Sequence, residues 1–248
     1  MLKMKYLAAI TFVALSVLVF MNLPDKQCRP LHREIAITID DLPIDSVYFQ
    51  KIAESLKAHQ APAIGFVIAN AVNERNLIDL KQFLDDGFII GNHSYSHMSL
   101  RKNTAKDYIA DVDKADKILS PLMSGTKYYR YPYLAKGRWR KKQKVFDYLA
   151  ANHYVIAPVT VDSKDFEFNA ELITSADQNK PEFLSQIKQR YFAFVWQQTL
   201  KAERKQKCCS KQILMLHANQ INSYFLNDLL RMYEDQGYHF ITLKDALG

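Results

Sequence analysis

The sequence predicts an α/β fold, a distorted (β/α) barrel of about seven parallel strands. Three observations predict it. Short apolar runs recur along the chain with little in–out alternation, the mark of strands covered on both faces. Segments of helical periodicity lie between them. Gly and Pro number only 7 and 8 in 248 residues, so no low-complexity linker divides the chain. An apolar share of 48% suffices for a core, and with 24% charged residues this is not the composition of a disordered chain.

The apolar runs, in order, are IAITI (35–39), AIGFVI (63–68), FIIGN (88–92), YYRYPY (128–133), YVIAPVTV (154–161), ILMLH (213–217) and HFITL (239–243). The helices fall between them. In NERNLIDLKQFLDDG, Asn73 predicts the N-cap, Leu77, Leu80 and Leu84 share a face, and Gly87 lies just past the end. TAKDYIADVDKADKIL aligns Tyr108, Val112, Ala115 and Leu119. The stretch 181–205 opens with Pro181, and its aromatic run Tyr191, Phe192, Phe194 and Trp196 reads as core, with a groove that stacks on sugar rings as the alternative. NSYFLNDLLRMYEDQG closes with Gly237. An open doubly wound sheet is the alternative, but the chain has no G-x-G-x-x-G turn for a nucleotide.

The N-terminus lies outside this scheme. Lys3 and Lys5 precede an almost unbroken apolar run, residues 6–23, which reads as an export signal. The run is long enough to span a bilayer and no small-x-small cleavage pattern follows, so we favour a retained anchor over a cleaved peptide. Residues 1–28 are then signal or membrane anchor, and 32–248 form an exported domain, periplasmic or extracellular. Cysteines number three, Cys28, Cys208 and Cys209. Adjacent cysteines bridge poorly, so any disulfide pairs Cys28 with one of the other two.

The formal charge is +7, of which Lys3 and Lys5 supply two. That balance is too weak and too scattered for a nucleic-acid binder. The densest basic stretch, KGRWRKKQK (136–144), reads as a solvated helix face, or as an attractor of an anionic polymer such as cell wall or lipid headgroups.

Polar residues gather at the ends of the apolar runs. Asp40 and Asp41 follow the first, His93 and His97 the third, Asp162 and Asp165 the fifth; His217 ends the sixth and Arg130 sits inside the fourth. In a parallel barrel these ends open on one face, which carries the chemistry. His93 and His97 are four apart, so one helical turn brings both imidazoles to the same side. With one carboxylate they form a three-ligand site for a divalent cation. That resolves an oddity of AITIDDLP: two adjacent carboxylates repel, but a cation takes one and leaves the other free as a base. A turn with a helix cap is the plainer reading of the same pair. Zinc suits two imidazoles and a carboxylate best, with cobalt or nickel as substitutes.

ITIDD, HSYSH, RYPY, DSKDF and LMLH follow the order of five motifs, and in this the chain resembles the polysaccharide deacetylase family, the NodB-homology or carbohydrate esterase family four. The resemblance covers nearly all of the exported part, and it implies the NodB type of distorted barrel. It implies Asp40 as general base and Asp41, His93 and His97 as metal ligands. Arg130 resembles the arginine that keeps the base charged, and the backbone N–H of Tyr133 the oxyanion donor. Asp165 looks like the acid that orients His217, and His217 like the general acid. Phe166 stands where Trp is usual and Met215 where Leu is usual beside the acetyl-methyl pocket, so both bear on substrate shape. Ile39 stands in place of Phe, a conservative change. Asp162 reads as a structural hydrogen-bonding group.

The implied activity is hydrolysis of N-acetyl groups on a glycan, a cell-wall polymer or an amino sugar, by a monomer. The alternatives are an O-acetyl esterase, a small-amide C–N hydrolase on the same site, and a glycan-binding protein without catalysis.

Overall fold

The structure, a computed structural model, describes residues 33–205 and 211–248. The N-terminal apolar run and all three cysteines lie outside the described residues. Among the described residues, no helix is long and apolar enough to cross a membrane.

Eight strands build one sheet. They are β1 (Arg33–Leu42), β2 (Ala63–Val67), β3 (Ile89–Asn92), β4 (Lys127–Tyr129), β5 (Tyr154–Ile156), β6 (Val161–Asp162), β7 (Gln212–His217) and β8 (Tyr238–Ile241). Every ladder is parallel, in the order β5-β4-β3-β2-β1-β7-β6. β7 pairs with β1 from Ile35 to Asp40. The opposite edge of β1 is shared, by β8 over Arg33–Ala36 and by β2 from Ile37 onward.

The run YVIAPVTV is not one strand. It splits at Pro158, which has no N–H to give a ladder. Ala157 N–H donates to Tyr129 on β4, while Thr160 N–H donates to Ile213 on β7. In a flat sheet β4 and β7 would stand four spacings apart, roughly 19 Å. Three residues of chain reach at most about 11 Å. The sheet therefore curls into a half-barrel, and this short connection joins its two edges.

Along β1 both faces are buried, which is why its sequence lacks alternation. Ile35, Ile37 and Ile39 pack outward against helices, and burying each contributes about 1.5–3 kcal/mol. Ala36 faces inward with Ile64, Phe66, Tyr128 and Ile213. Thr38 and Asp40 continue that inward row.

The helices are α1 (Ser46–Ala58), α2 (Glu74–Asp85), α3 (Ala105–Leu119), α4 (Trp139–Ala151), α5 (Asp165–Thr174), α6 (Pro181–Lys205), α7 (Gln220–Asp235) and α8 (Leu243–Leu247). Asn73 caps α2 by accepting from Arg75 N–H and Asn76 N–H, and Asn219 caps α7 through Asn222 N–H. Tyr191 is fully buried, with Phe192 and Trp196 packed against the same core.

Candidate active site

The site opens at the C-terminal ends of the strands. Asp40 ends the inward row of β1, so its carboxylate points into the mouth of the half-barrel. The next residue of a regular strand would point outward. Asp41 instead takes φ 66°, a left-handed conformation that is costly for a non-glycine residue. Both carboxylates consequently line the same cavity.

His93 and His97 also converge, but not on a helical turn. Residues 93–97 form an irregular loop with Ser94 at φ 70° and His97 at φ 55°. Two side chains hold it. Asn92 Oδ1 accepts from Ser94 N–H at 2.7 Å. Asp111, on α3, accepts from Tyr95 N–H at 3.0 Å, Ser96 N–H at 3.1 Å and Ser96 Oγ–H at 2.7 Å. The sequence reading missed Asp111, since nothing in its spacing links it to the histidines.

Asp41 Oδ1 lies 3.4 Å from His93 Nε2 and 3.2 Å from His97 Nε2. The three side chains offer ligand atoms that all lie within 4.8 Å of one another. Ligand atoms around a tetrahedral zinc at ordinary bond lengths are about 3.3 Å apart. His93 Nδ1 donates to the Arg130 carbonyl at 2.9 Å, because a carbonyl can only accept. Nε2 of His93 is thereby left to face Asp41. Asp41 Oδ1 is buried with no hydrogen-bond partner among the described residues. Burial alone would raise the Asp41 carboxyl, yet the two imidazoles hold it well below the usual carboxylate range. An orphaned buried oxygen facing two imidazole nitrogens fits a divalent cation.

Asp40 is held from the other side. Arg130 Nη1 approaches its two oxygens at 3.2 and 3.4 Å. Nη2 of the same guanidinium donates to Thr38 Oγ1 at 3.1 Å and to the Pro158 carbonyl at 3.3 Å. The guanidinium stacks 4.5 Å above the Phe66 ring. Arg130 is the first residue past β4, and Pro132 and left-handed Tyr133 (φ 56°) keep the strand from resuming. Tyr133 borders the cavity, with its ring 4.4 Å from that of His97.

The opposite wall carries His217, paired in register with Asp40. Its Nδ1 lies 2.6 Å from Asp165 Oδ1, and its backbone N–H donates to Asp165 Oδ2 at 2.6 Å. Asn222 donates to that same Oδ2 and, at 2.9 Å, to the His217 carbonyl. Tyr191 donates to Asn222 Oδ1 at 2.8 Å. Burial opposes a charge on His217, but Asp165 beside it, with Asp40 and Asp41 further off, raises its pKa to about 9. Asn222 was visible in the sequence only as part of LHANQIN; what reveals its part is the fold, which returns α7 beneath the histidine.

Met215 and Phe166 complete the cavity, of about 380 Å³, with Leu134, Asp162 and Lys164. Met215 is buried, while Phe166 is half-exposed and sits edge-on to His217 at 5.7 Å. Asp162 pairs with Lys164 Nζ at 3.0 Å and accepts from Lys164 N–H at 3.1 Å, supporting the left-handed turn before Asp165. All ten candidate residues of the sequence reading thus surround one pocket or directly brace a residue that does.

Fold and site together define a class: a curled parallel α/β half-barrel whose strand ends carry an Asp–His–His centre, an Arg-clamped carboxylate and an Asp–His pair. Residues 29–151 match the family model described as polysaccharide deacetylase. The chain belongs to the polysaccharide deacetylase family. It is 31% identical over 148 residues to a chitin deacetylase of Arthroderma benhamiae, covering 57% of this chain and 37% of that one. It is 32% identical over 145 residues to a peptidoglycan-N-acetylglucosamine deacetylase of Bacillus cereus, covering 57% and 50%. The chain thus spans half or less of the length of these relatives. Among solved structures, a family-four pseudoenzyme of Bacillus anthracis superposes with TM-score 0.65 at 18% identity, covering 89% of this chain and 67% of that one. The match at 29–151 takes in the first three motifs; Asp165 and His217 lie beyond it.

Proposed function

We propose that this chain is an exported, metal-dependent deacetylase that removes N-acetyl groups from a glycan or amino sugar outside the cytoplasm. A shared fold alone does not decide this, because a pseudoenzyme has the same architecture. The observation that carries the reading is the position of Asp40. Its carboxylate is clamped by Arg130 on one side, and its Oδ2 lies 3.9 Å from His93 Nε2 on the other. It stands beside the Asp41–His93–His97 centre without being part of it. A binding protein has no need of a buried, Arg-clamped carboxylate there.

The residues divide the reaction as follows. Asp41, His93 and His97 would hold a divalent cation, zinc by the ligand set, which supplies polarisation of the acetyl carbonyl and acidification of water. Asp40 takes the proton from the attacking water, and Arg130 holds its carboxylate in place. The backbone N–H of Tyr133 donates to the oxygen on which negative charge develops. His217 gives its proton to the leaving amine, a poor leaving group without it. Asp165 keeps that imidazole charged, and Asn222 keeps Asp165 in place. Met215 and Phe166 bound the space for the acetyl group and the sugar beside it. Lys3, Lys5 and the apolar run 6–23 support export and an anchored N-terminus.

The test is acetate release from N-acetylglucosamine oligomers and from peptidoglycan, with and without chelator. Release should vanish on chelation and return with zinc, and Asp40→Asn should lower it by about 10²–10⁴-fold. Acetate release that persists in both cases would sink the reading.

A further inference from the structure

Three cavities adjoin one another on the site's side of the molecule. The catalytic pocket is bordered by His97 and Tyr133. The same two residues border a second cavity of about 340 Å³, which also takes in Arg101, Lys102 and Asn103. Lys102 and Asn103 in turn border a third, a wide-open surface depression flanked by Arg140, Lys141 and Lys144 of α4. A chain seated in the catalytic pocket and leaving past His97 therefore runs over cations.

Of those cations only Lys141 has an internal partner among the described residues. Lys141 donates to the Leu100 carbonyl at 3.1 Å and so ties α4 to the histidine loop's far end. Arg101, Lys102, Arg140 and Lys144 are exposed and make no ion pair among the described residues. Acids close in sequence are engaged elsewhere: Asp107 accepts from Thr104, and Asp147 from Gln143. α4 moreover begins with no acidic residue in its first turn and no side-chain cap. Basic residues there oppose the helix dipole. A merely solvated helix face carries mixed signs in i,i+4 pairs; this one does not.

We propose that this groove holds an anionic substituent of the substrate, so that the protein acts on an acidic N-acetylated glycan in preference to a neutral one. The inference rests on the deacetylase reading for its chemistry, and adds the charge of the polymer. Lys102 and Asn103 join the basic wall to the cavity that meets the catalytic pocket, which favours a substrate chain over a lipid surface as the occupant.

The experiment compares the full chain with the variant Arg101→Gln, Lys102→Gln, Arg140→Gln, Lys144→Gln on two substrates. One is neutral chitopentaose; the other is a glycan strand of similar length whose alternate sugars carry a lactyl carboxylate. The variant should lose about tenfold in kcat/KM on the acidic strand, mainly through KM, as two ordinary exposed charge pairs imply, and stay unchanged on chitopentaose. The wild-type preference should shrink between about 0.05 and 0.5 M salt. Equal losses on both substrates, or none, overturn the proposal. Binding of fluorescent oligogalacturonate to the metal-free proteins is read by anisotropy, independently of turnover. Tighter binding by wild type than by the variant, with no acetate released from any substrate, retires the deacetylase reading and leaves the anionic groove standing. A difference between the two proteins on anionic phospholipid vesicles but not on oligogalacturonate assigns the patch to a membrane and overturns the proposal.

Discussion

Arg130 Nη1 lies 3.2 Å from Asp40 Oδ1, and the two side chains are 0% and 3% exposed. An ion pair so far from water stabilises only while complete, because either charge left alone keeps its desolvation cost. Arg130→Met should therefore destabilise the fold by about 3–5 kcal/mol. Adding Asp40→Asn to it should restore part of the loss. Urea unfolding of the single and double variants checks this; a double variant less stable than Arg130→Met alone would show that the two groups do not act as a pair.

His217 carries the pH dependence. Its pKa in the folded protein is raised to about 9 from the 6.5 of an ordinary imidazole, so folding favours the protonated ring. The stabilisation is fully present below about pH 6.5 and is lost as pH rises through about 9. In the proposed role of general acid, His217 should impose a fall in kcat on the alkaline side. Asp165→Asn removes the chief raising influence and should move that limb down by about one to two pH units. The imidazole titration is followed directly by NMR in metal-free protein, and a value near or below 6.5 there would contradict the electrostatics described above.

The fold was legible because burial on both faces erases alternation in β1, and because Asn73, Gly87 and Gly237 punctuate the helices. Other features were not. Pro158 divides a single apolar run into two strands on opposite edges of the sheet, and only curling of the sheet makes that possible. The H-x-x-x-H spacing announced two convergent imidazoles, but suggested a helical turn. The loop that holds them depends on Asn92 and Asp111, one adjacent in sequence and the other on α3. Long-range hydrogen bonds of this kind leave no periodicity to read. Asn222 was hidden for the same reason: its partners Asp165 and Tyr191 are 57 and 31 residues away.

A cation bound to Asp41, His93 and His97 should couple to stability. Zinc at about a hundredfold over its Kd should add about 2.7 kcal/mol to unfolding. His93→Ala should abolish that increment, and the metal-free variant should itself lose about 1–3 kcal/mol, since the ring is buried and the Arg130 carbonyl is left without its donor. Thermal unfolding with and without zinc measures both. An equal zinc increment in wild type and His93→Ala would move the binding site elsewhere in the molecule.

Asp111 offers the sharpest test of how the centre is built, because it touches no ligand atom directly. Its carboxylate receives three hydrogen bonds from Tyr95 and Ser96, and these fix the loop between the two histidines. Residues supporting a metal ligand from behind typically cost about 10–100-fold in affinity when removed. Asp111→Ala should weaken zinc binding by that range, with a loss of about 1–3 kcal/mol in the metal-free fold from the buried donors left unpaired. Asp111→Asn keeps an acceptor for one or two of the donors and should recover most of the zinc affinity. The measurement is a zinc titration against a competing chromophoric chelator, done at a temperature where every variant is folded. If Asp111→Ala binds zinc as tightly as wild type, the left-handed turns at Ser94 and His97 hold the imidazoles together without it, and the loop is set by its own backbone.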